Sequence, residues 1–283
     1  MSRKAFLLSA ALVLIAISAF LALGGFQAFS STSPLTSAAP ESEYSNVGSP
    51  GTITIASWNL QGFGKRRAFD PELMDYYAGV MKKYDIILMQ GIRDEREAAF
   101  KKLCSMLDGY SCLVSSRAGF NLTKEQYAVF YRNAVFLGAQ DWNFGSHAEQ
   151  FNWPPYTVRF KAGNWTFQVT TMKADQRNVS GELAALEDIL AFQAYPGDEI
   201  IMGDLSADCD RYSTPPSDFR RWRWVLPDSQ DTTVSKETLC AFDRILINNY
   251  TFNNYVSYDV MRDMTENQSG HYLIYATFKM TEP

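Results

Sequence analysis

Three short apolar segments restrict the possible folds of this chain more than any other feature of the sequence. Each segment stops abruptly at a polar residue, and the three pairs are residues 55–58 before Asn59, residues 86–89 before Gln90, and residues 200–203 before Asp204. Apolar runs of this length are typical of strands that are buried within a sheet. Polar groups directly after such strands commonly line a site at one edge of the sheet. The segments therefore predict an α/β domain that carries functional groups at its strand ends.

The rest of the chain shows a mixture of strand and helix patterns. Helical spacing predicts helices over residues 71–83, 93–107 and 179–192. Alternation and β-branched or aromatic composition predict strands over residues 52–58, 85–90, 127–131, 156–160, 165–171, 199–202, 242–247 and 272–278. Buried strands interspersed with helices and hairpins imply a two-layered or sandwiched α/β domain.

The N-terminal segment has the composition of a membrane or export signal. Residues 5–29 carry no charge and are strongly apolar, and they follow Arg3 and Lys4. About 20 apolar residues suffice to cross a bilayer, and this charge order is typical of a signal peptide or of an anchor whose tail lies outside. We therefore predict that residues 1–29 are a signal peptide or an N-terminal transmembrane anchor. We favour an uncleaved anchor because no clean A-x-A site follows the segment.

The composition changes again before the folded domain. Residues 30–50 are rich in Ser, Thr, Pro and Ala and predict a linker, because such a stretch buries too little apolar surface to fold. The folded domain is expected over residues 51–283. The domain is expected to be secreted or anchored to the outer face of the cytoplasmic membrane, and monomeric.

The four cysteines and the net charge limit the possible ligands. An even number of cysteines in an exported chain favours two disulfides over a metal site, and these residues are Cys104, Cys112, Cys209 and Cys240. The net charge of −5 excludes a global basic field, so a polyanion would have to be held by a local patch. The basic residues 65–67 either contact a phosphate backbone or are ordinary surface charge, and we favour surface charge.

The ordered motifs of the chain resemble the endonuclease/exonuclease/phosphatase superfamily, and most of all its DNase I-like members. The motifs are residues 55–59, 84–90, 202–209, 243–245 and 271–272, and the marks of DNase I-like proteins are residues 124–127, 224–233 and 240–244. The resemblance covers nearly all of residues 52–278. It implies a DNase I-like four-layered α/β sandwich with two central, mostly antiparallel β-sheets. It also implies a Cys209–Cys240 disulfide, which leaves Cys104 to pair with Cys112.

Family resemblance also implies a chemistry, which is metal-dependent hydrolysis of DNA phosphodiesters. Such a reaction needs a carboxylate that binds Mg²⁺ or Ca²⁺, two acid-oriented histidines as general base and general acid, and polar groups that hold the phosphate. The resemblance assigns catalytic positions to Glu125, Asp204, Asp243 and His271. It assigns phosphate or DNA contacts to Asn59, Arg93 and Ser206, of which Ser206 replaces an asparagine.

Three further positions depart from the family pattern. Gly91 stands where the family has its metal-binding glutamate, so the metal is expected to be weakly held or lost. Met172 is expected at the position of the first catalytic histidine, which would leave Glu125 without a partner. Gly270 replaces the acid next to His271. Because a glycine offers no ligand and a thioether transfers no proton at neutral pH, these changes predict an impaired enzyme.

Three functions are consistent with these residues. The first is an exported DNase I-like pseudoenzyme that binds DNA or another phosphodiester through the old groove, with membrane contact through the N-terminal segment. The second is an active metal-dependent deoxyribonuclease or phosphodiesterase with a rebuilt site, which would use Glu125, Asp204, Asp243 and His271. The third is a non-catalytic envelope or adhesion module that keeps the fold as a scaffold.

Overall fold

Two six-stranded sheets form the centre of the fold. The computed structural model of the chain describes residues 49–119, 124–213 and 216–280. In spatial order, the first sheet contains β11 (Tyr255–Met261), β12 (Leu273–Lys279), β1 (Thr52–Phe63), β2 (Ile86–Ile92), β4 (Gln126–Tyr131) and β3 (Ser111–Val114). The second contains β5 (Val135–Asp141), β6 (Tyr156–Ala162), β7 (Trp165–Thr171), β8 (Asp198–Asp204), β10 (Asp243–Ile247) and β9 (Arg223–Trp224).

Each sheet has one parallel strand pair near its middle. The parallel pairs are β1 with β2 and β7 with β8, and the other pairs in both sheets are antiparallel. Parallel neighbours point their carboxyl ends to the same sheet edge, so residues that follow them lie close together. The prediction of two central, mostly antiparallel sheets is confirmed.

Helices cover the outer face of each sheet. The described helices are α1 (Lys65–Ala68), α2 (Pro71–Met81), α3 (Ala98–Ser105) and α4 (Val179–Gln193). Helix α2 begins at Pro71 because the Asp70 side chain accepts the Leu73 backbone N–H at 3.0 Å, and proline suits the first helical position. Helices α2 and α3 pack with Trp58 of the first sheet in one apolar cluster, and α4 packs with Ile201 of the second sheet in another.

A third apolar cluster lies between the two sheets. It joins side chains such as Ile55 and Val129 of the first sheet to Val158 and Ile200 of the second, all of them buried. Three apolar clusters separate four layers of secondary structure, in the order helix, sheet, sheet, helix. The predicted four-layered α/β sandwich is therefore confirmed.

Edge strands account for most of the differences between the predicted and observed elements. All eight inner strands overlap predicted strands, whereas the four edge strands β3, β5, β9 and β11 were not predicted. Strand β5 is exposed along most of its length and so lacks the alternation of a half-buried strand. The helix predicted over residues 93–107 begins only at Ala98, because Glu97 has a left-handed backbone and the Asp94 side chain accepts the Ala99 backbone N–H.

Both disulfides join the predicted cysteines. Cys104 pairs with Cys112 over a sequence separation of 8, and Cys209 pairs with Cys240 over a separation of 31. The longer bridge ties the segment after β8 to the segment before β10. Ser206 lies in the first segment and Asp243 directly follows the second, so this bridge supports the site.

Removing the longer disulfide is expected to cost more stability than removing the shorter one. Loop-closure entropy gives about 3.7 kcal/mol for the Cys209→Ala/Cys240→Ala variant and about 2.5 kcal/mol for Cys104→Ala/Cys112→Ala. Urea unfolding of both variants and the parent without reductant measures the difference. A larger loss for the shorter bridge would show that local packing, and not chain entropy, sets these values.

The described residues do not include the predicted export or anchor segment. Residues 1–29 lie outside the described ranges, as does the predicted linker except for residues 49 and 50. Within the described ranges, no helix is long and apolar enough to cross a membrane.

Candidate active site

Several predicted site residues meet where the parallel strand pairs end. Asn59 lies in β1 opposite Gln90 of β2, and Asp204 is the last residue of β8. The Asn59 side-chain amide donates to Asp204 Oδ2 at 2.8 Å and so connects the two sheets. Asp243, the first residue of β10, is paired with Asp204 across the antiparallel ladder, and His271 lies just before β12.

His271 and Asp243 form a buried, hydrogen-bonded pair. The distance from His271 Nδ1 to Asp243 Oδ2 is 2.7 Å. The His271 backbone N–H donates to Ser269 Oγ, which itself donates to the Asn59 carbonyl oxygen at 2.7 Å. Gly270 removes the acid next to His271 in the sequence, and Asp243 is the carboxylate that holds the imidazole.

The two buried groups of this pair have shifted pKa values. Burial disfavours the charged imidazole, but the attraction of Asp243 and Asp204 outweighs burial and raises the pKa of His271 to about 9. Burial raises the pKa of Asp243 to about 6. At neutral pH the pair is therefore an imidazolium and a carboxylate. In this state His271 can donate a proton to a leaving oxygen, but it cannot accept one from water.

Asp204 is held by several donors at the centre of the site. Its Oδ1 atom accepts hydrogen bonds from the backbone N–H and the hydroxyl of Ser206, both at 3.1 Å. Its Oδ2 atom accepts from Asn59 and lies 3.7 Å from His271 Nε2. The structure thus brings together Asn59, Asp204, Ser206, Asp243 and His271, as the family resemblance implied.

The space beside Gly91 is already occupied. Gly91 has a left-handed backbone with φ of 82°, and a Cβ atom there would lie 2.8 Å from Asn59 Oδ1 and 2.9 Å from the Gln61 nitrogen. The Gln61 backbone N–H donates to Asn59 Oδ1 at 2.9 Å, which closes this space. A glutamate at position 91 would require these atoms to move, so the chain lacks both the ligand and the room for it.

Gln61 also fills the space beside Gly270. The Gly270 backbone N–H donates to Gln61 Oε1 at 3.2 Å, and a Cβ atom on Gly270 would collide with the same oxygen. One residue therefore occupies the surroundings of both glycines that depart from the family pattern. Gln61 was not among the predicted site residues, because no local pattern in the sequence distinguishes it.

Glu125 forms a second charged cluster with Arg93 and Lys173. Arg93 donates to Glu125 Oε1 through Nε and lies within 2.8 Å through Nη2, and Lys173 Nζ lies 2.7 Å from Oε2. The Lys173 ammonium also lies 4.3 Å from the centre of the Trp153 ring. Glu125 is only 3% exposed, so its charge depends on these two cations. The expectation that Glu125 has no partner is wrong.

Met172 does not face this cluster. Its side chain is fully buried in the apolar cluster between the second sheet and α4. Successive side chains of an extended chain point to opposite sides, so the next residue, Lys173, points toward Glu125. The prediction that Met172 stands opposite Glu125 is therefore wrong, and Lys173 occupies that place. Side chains alternate in direction along an extended chain, and Met172 is apolar. This alternation is the sequence signal that could have identified Lys173 as the residue that faces Glu125.

Three side chains of the site form a possible ligand group for a divalent cation. One ligand-type atom from each of Asp204, Asp243 and His271 lies within 4.8 Å of the others. Asp243 Oδ1 has no hydrogen-bond partner among the described residues, and Asp204 Oδ2 keeps a further lone pair. Position 91, where the family has its metal-binding glutamate, offers no ligand, so the group has one carboxylate fewer than the family pattern.

Comparison with known proteins places the chain in one class. Its fold is similar to the endonuclease/exonuclease/phosphatase from Bacteroides vulgatus, with a TM-score of 0.62, 14% identity and coverage of 81% of this chain and 99% of that one. It is also similar to D. rerio TDP2 complexed with a single-strand DNA product, with a TM-score of 0.61, 13% identity and coverage of 81% and 99%. These likenesses show the sandwich fold of the endonuclease/exonuclease/phosphatase superfamily.

Sequence relatives narrow this class to one family. The chain is 32% identical over 220 residues to deoxyribonuclease-1 of Homo sapiens, which covers 69% of this chain and 77% of the relative. It is 28% identical over 223 residues to deoxyribonuclease gamma of Homo sapiens, which covers 69% and 72%. No protein-family model matches the sequence. The chain belongs to the DNase I family.

Proposed function

We propose that this chain is an exported DNase I-family protein that binds the phosphate backbone of nucleic acid and hydrolyses it weakly or not at all. The observation that carries the proposal is Gly91, where Asn59 and Gln61 occupy the place that a metal-binding side chain would need. We further propose that the Mg²⁺ or Ca²⁺ expected for the family is not tightly held. Two disulfides and the apolar N-terminal segment support an extracellular location.

The expected loss of catalysis is large. A missing charge-stabilising group typically lowers the rate about 10²–10³-fold. Loss of the family's general base lowers the rate by about 10²–10⁴-fold. Neither the imidazolium of His271 nor the ion-paired Lys173 is suited to act as that base. Such losses do not simply multiply, because groups that act together fail together. Even one of them leaves little activity.

A basic cleft next to the site supports nucleic-acid binding. The cleft has a volume of about 630 Å³, and its wall includes Lys65, Arg66, Arg93 and Arg96. Lys65 and Arg66 are exposed, and neither side chain has a hydrogen-bond or ion-pair partner among the described residues. Duplex DNA presents closely spaced phosphates that such a local patch can bind despite an acidic chain. The cleft wall also carries Asp94 and Glu95, so its basic side chains are in excess by three. We propose that Lys65 and Arg66 contact phosphate here, against the expectation of ordinary surface charge.

Cleavage and binding assays on the full chain test the proposed function. We expect plasmid relaxation with Mg²⁺ and Ca²⁺ to be at least about 10²-fold slower than with deoxyribonuclease-1. We also expect salt-dependent binding of a short DNA duplex, weakened by Arg66→Glu. Cleavage at a rate near that of deoxyribonuclease-1 would overturn the proposal. Absence of both cleavage and duplex binding would favour the envelope or adhesion module.

One observation favours a second candidate, a phosphodiesterase with residual activity. The His271–Asp243 pair is intact at 2.7 Å, and Asp243 Oδ1 is buried without a hydrogen-bond partner among the described residues. That oxygen is able to accept a proton or a water in a working site. Slow metal-dependent cleavage that is abolished by both Asp204→Ala and His271→Ala would support this candidate over the first.

A further inference from the structure

Two cationic side chains contact one carboxylate beside the site. Arg93 and Lys173 both form ion pairs with Glu125, whereas His271 lies against Asp243 and Asp204. The family pattern expects two further acids at positions 91 and 270, and a histidine where Lys173 lies. Unbalanced carboxylates in a sheltered cleft attract a divalent cation. This cleft lacks the two acids at positions 91 and 270 and has gained the positive charge of Lys173.

Lys173 is fixed in position by its backbone. Its N–H donates to the Tyr127 hydroxyl at 3.1 Å, and the next residue, Ala174, donates its N–H to the Asp204 carbonyl oxygen at 2.8 Å. These contacts hold Lys173 beside Asp204 at the end of β7. The backbone of Lys173 therefore lies next to the centre of the site, and its ammonium contacts Glu125.

The Lys173 ammonium has capacity for another acceptor. An ammonium carries three N–H donors. Among the described residues, the acceptor of a Lys173 N–H is Glu125, and the Trp153 ring attracts the charge without accepting a full hydrogen bond. Its side chain is 14% exposed, so a small ligand can reach it. Because Arg93 also neutralises Glu125, the cluster of two cations and one carboxylate keeps one net positive charge.

We propose that Lys173 binds a phosphodiester phosphate in this cleft and that it does so without a divalent cation. The proposal rests on the nucleic-acid binding proposed above and names the group that makes it independent of metal. A diester phosphate carries one negative charge, which matches the net charge of the Arg93–Glu125–Lys173 cluster. An ammonium on a lysine is a well-established partner for phosphate. The residue that replaces the family's base thus becomes a phosphate anchor.

Binding of a short fluorescent DNA duplex to the full chain tests this proposal. We expect the same Kd in excess EDTA and in Mg²⁺. Lys173→Met should weaken binding about ten-fold. It should also reduce the magnitude of the slope of log K against log salt concentration by about one, which corresponds to one lost phosphate contact. Lys173→Arg should bind nearly as well as the parent. Lys161→Met is the matched control, because Lys161 is exposed at the far end of β6 and should leave binding unchanged.

A second variant separates binding from folding. Lys173→Met/Glu125→Gln removes both members of the ion pair, so no buried charge is left unpaired, and Arg93 keeps the net charge of the cluster at one. This variant should still bind more weakly than the parent, because the ammonium that contacts the phosphate is gone. Unfolding midpoints of all variants confirm that they are folded. Parent-like binding by both the single and the double variant, or loss of parent binding in EDTA, would overturn the role of Lys173 but leave the proposed function standing. No duplex binding by the parent in either condition would overturn both.

Discussion

Replacing Gly91 by glutamate is expected to destabilise the protein by about 2–5 kcal/mol through strain and overpacking alone and to leave metal-dependent cleavage unrestored. The left-handed backbone of Gly91 costs a side-chain-bearing residue about 1–2 kcal/mol. Overpacking against Asn59 Oδ1 and the Gln61 nitrogen adds about 1–3 kcal/mol. The new carboxylate would also join a buried group that already contains Asp204 and Asp243, which disfavours its charge further.

Two control substitutions identify the source of this loss. Gly79→Glu places the same side chain on the exposed face of α2, where nothing lies within 4 Å of a Cβ atom, and it should be neutral or slightly stabilising. Gly91→Ala keeps the backbone strain and the Cβ contact but adds no charge, so it should lose the stability due to these two effects without the further cost of the carboxylate. Urea unfolding and plasmid relaxation measure the two outcomes. A stable Gly91→Glu variant that gains Mg²⁺-dependent cleavage would disprove the blocked-space explanation.

The second large effect is expected from His271→Ala, which should lower the free energy of unfolding by about 3–5 kcal/mol at neutral pH. Asp243 is fully buried and Asp204 nearly so, and the imidazolium is the cation that contacts both. Its removal leaves two neighbouring carboxylates with no counter-charge. The double variant His271→Ala/Asp243→Ala should recover most of the loss, because it removes one of the two carboxylates. Full additivity of the two single effects would show that the pair is not coupled.

The same pair predicts a pH dependence of stability. The pKa of His271 rises from 6.5 to about 9 on folding, so the folded state binds this proton more tightly. The stabilisation is fully present below pH 6.5 and is lost as the pH rises toward 9, with a total of about 3 kcal/mol. Urea unfolding at both ends of this range measures the loss. His147→Gln should keep this pH dependence and His271→Ala should lack it, and the reverse result would contradict the assignment.

Much of the fold could be predicted from local patterns. Apolar runs such as residues 86–89 are continuous because their strands lie inside a sheet with both faces covered, and this burial requires apolar side chains in sequence. The edge strands carry no such requirement, because one side and most of their side chains face solvent, as in β5. The predicted N-terminal anchor or signal segment stays a prediction, since it lies outside the described residues.

The sequence by itself predicted the sandwich, the two disulfides, and the site residues Asn59, Asp204, Asp243 and His271, although β1 continues past Asn59 to Phe63. Only the tertiary structure decided what surrounds them. Gln61 fills the space beside Gly270 across 209 positions of sequence, and Asp243 reaches His271 across 28. The periodicity of apolar residues along the chain shows which side chains are buried. Contacts between distant segments depend instead on how the two sheets pack. That packing directs the Met172 side chain into the core and the Lys173 side chain toward Glu125. It therefore decides that the site carries an additional positive charge.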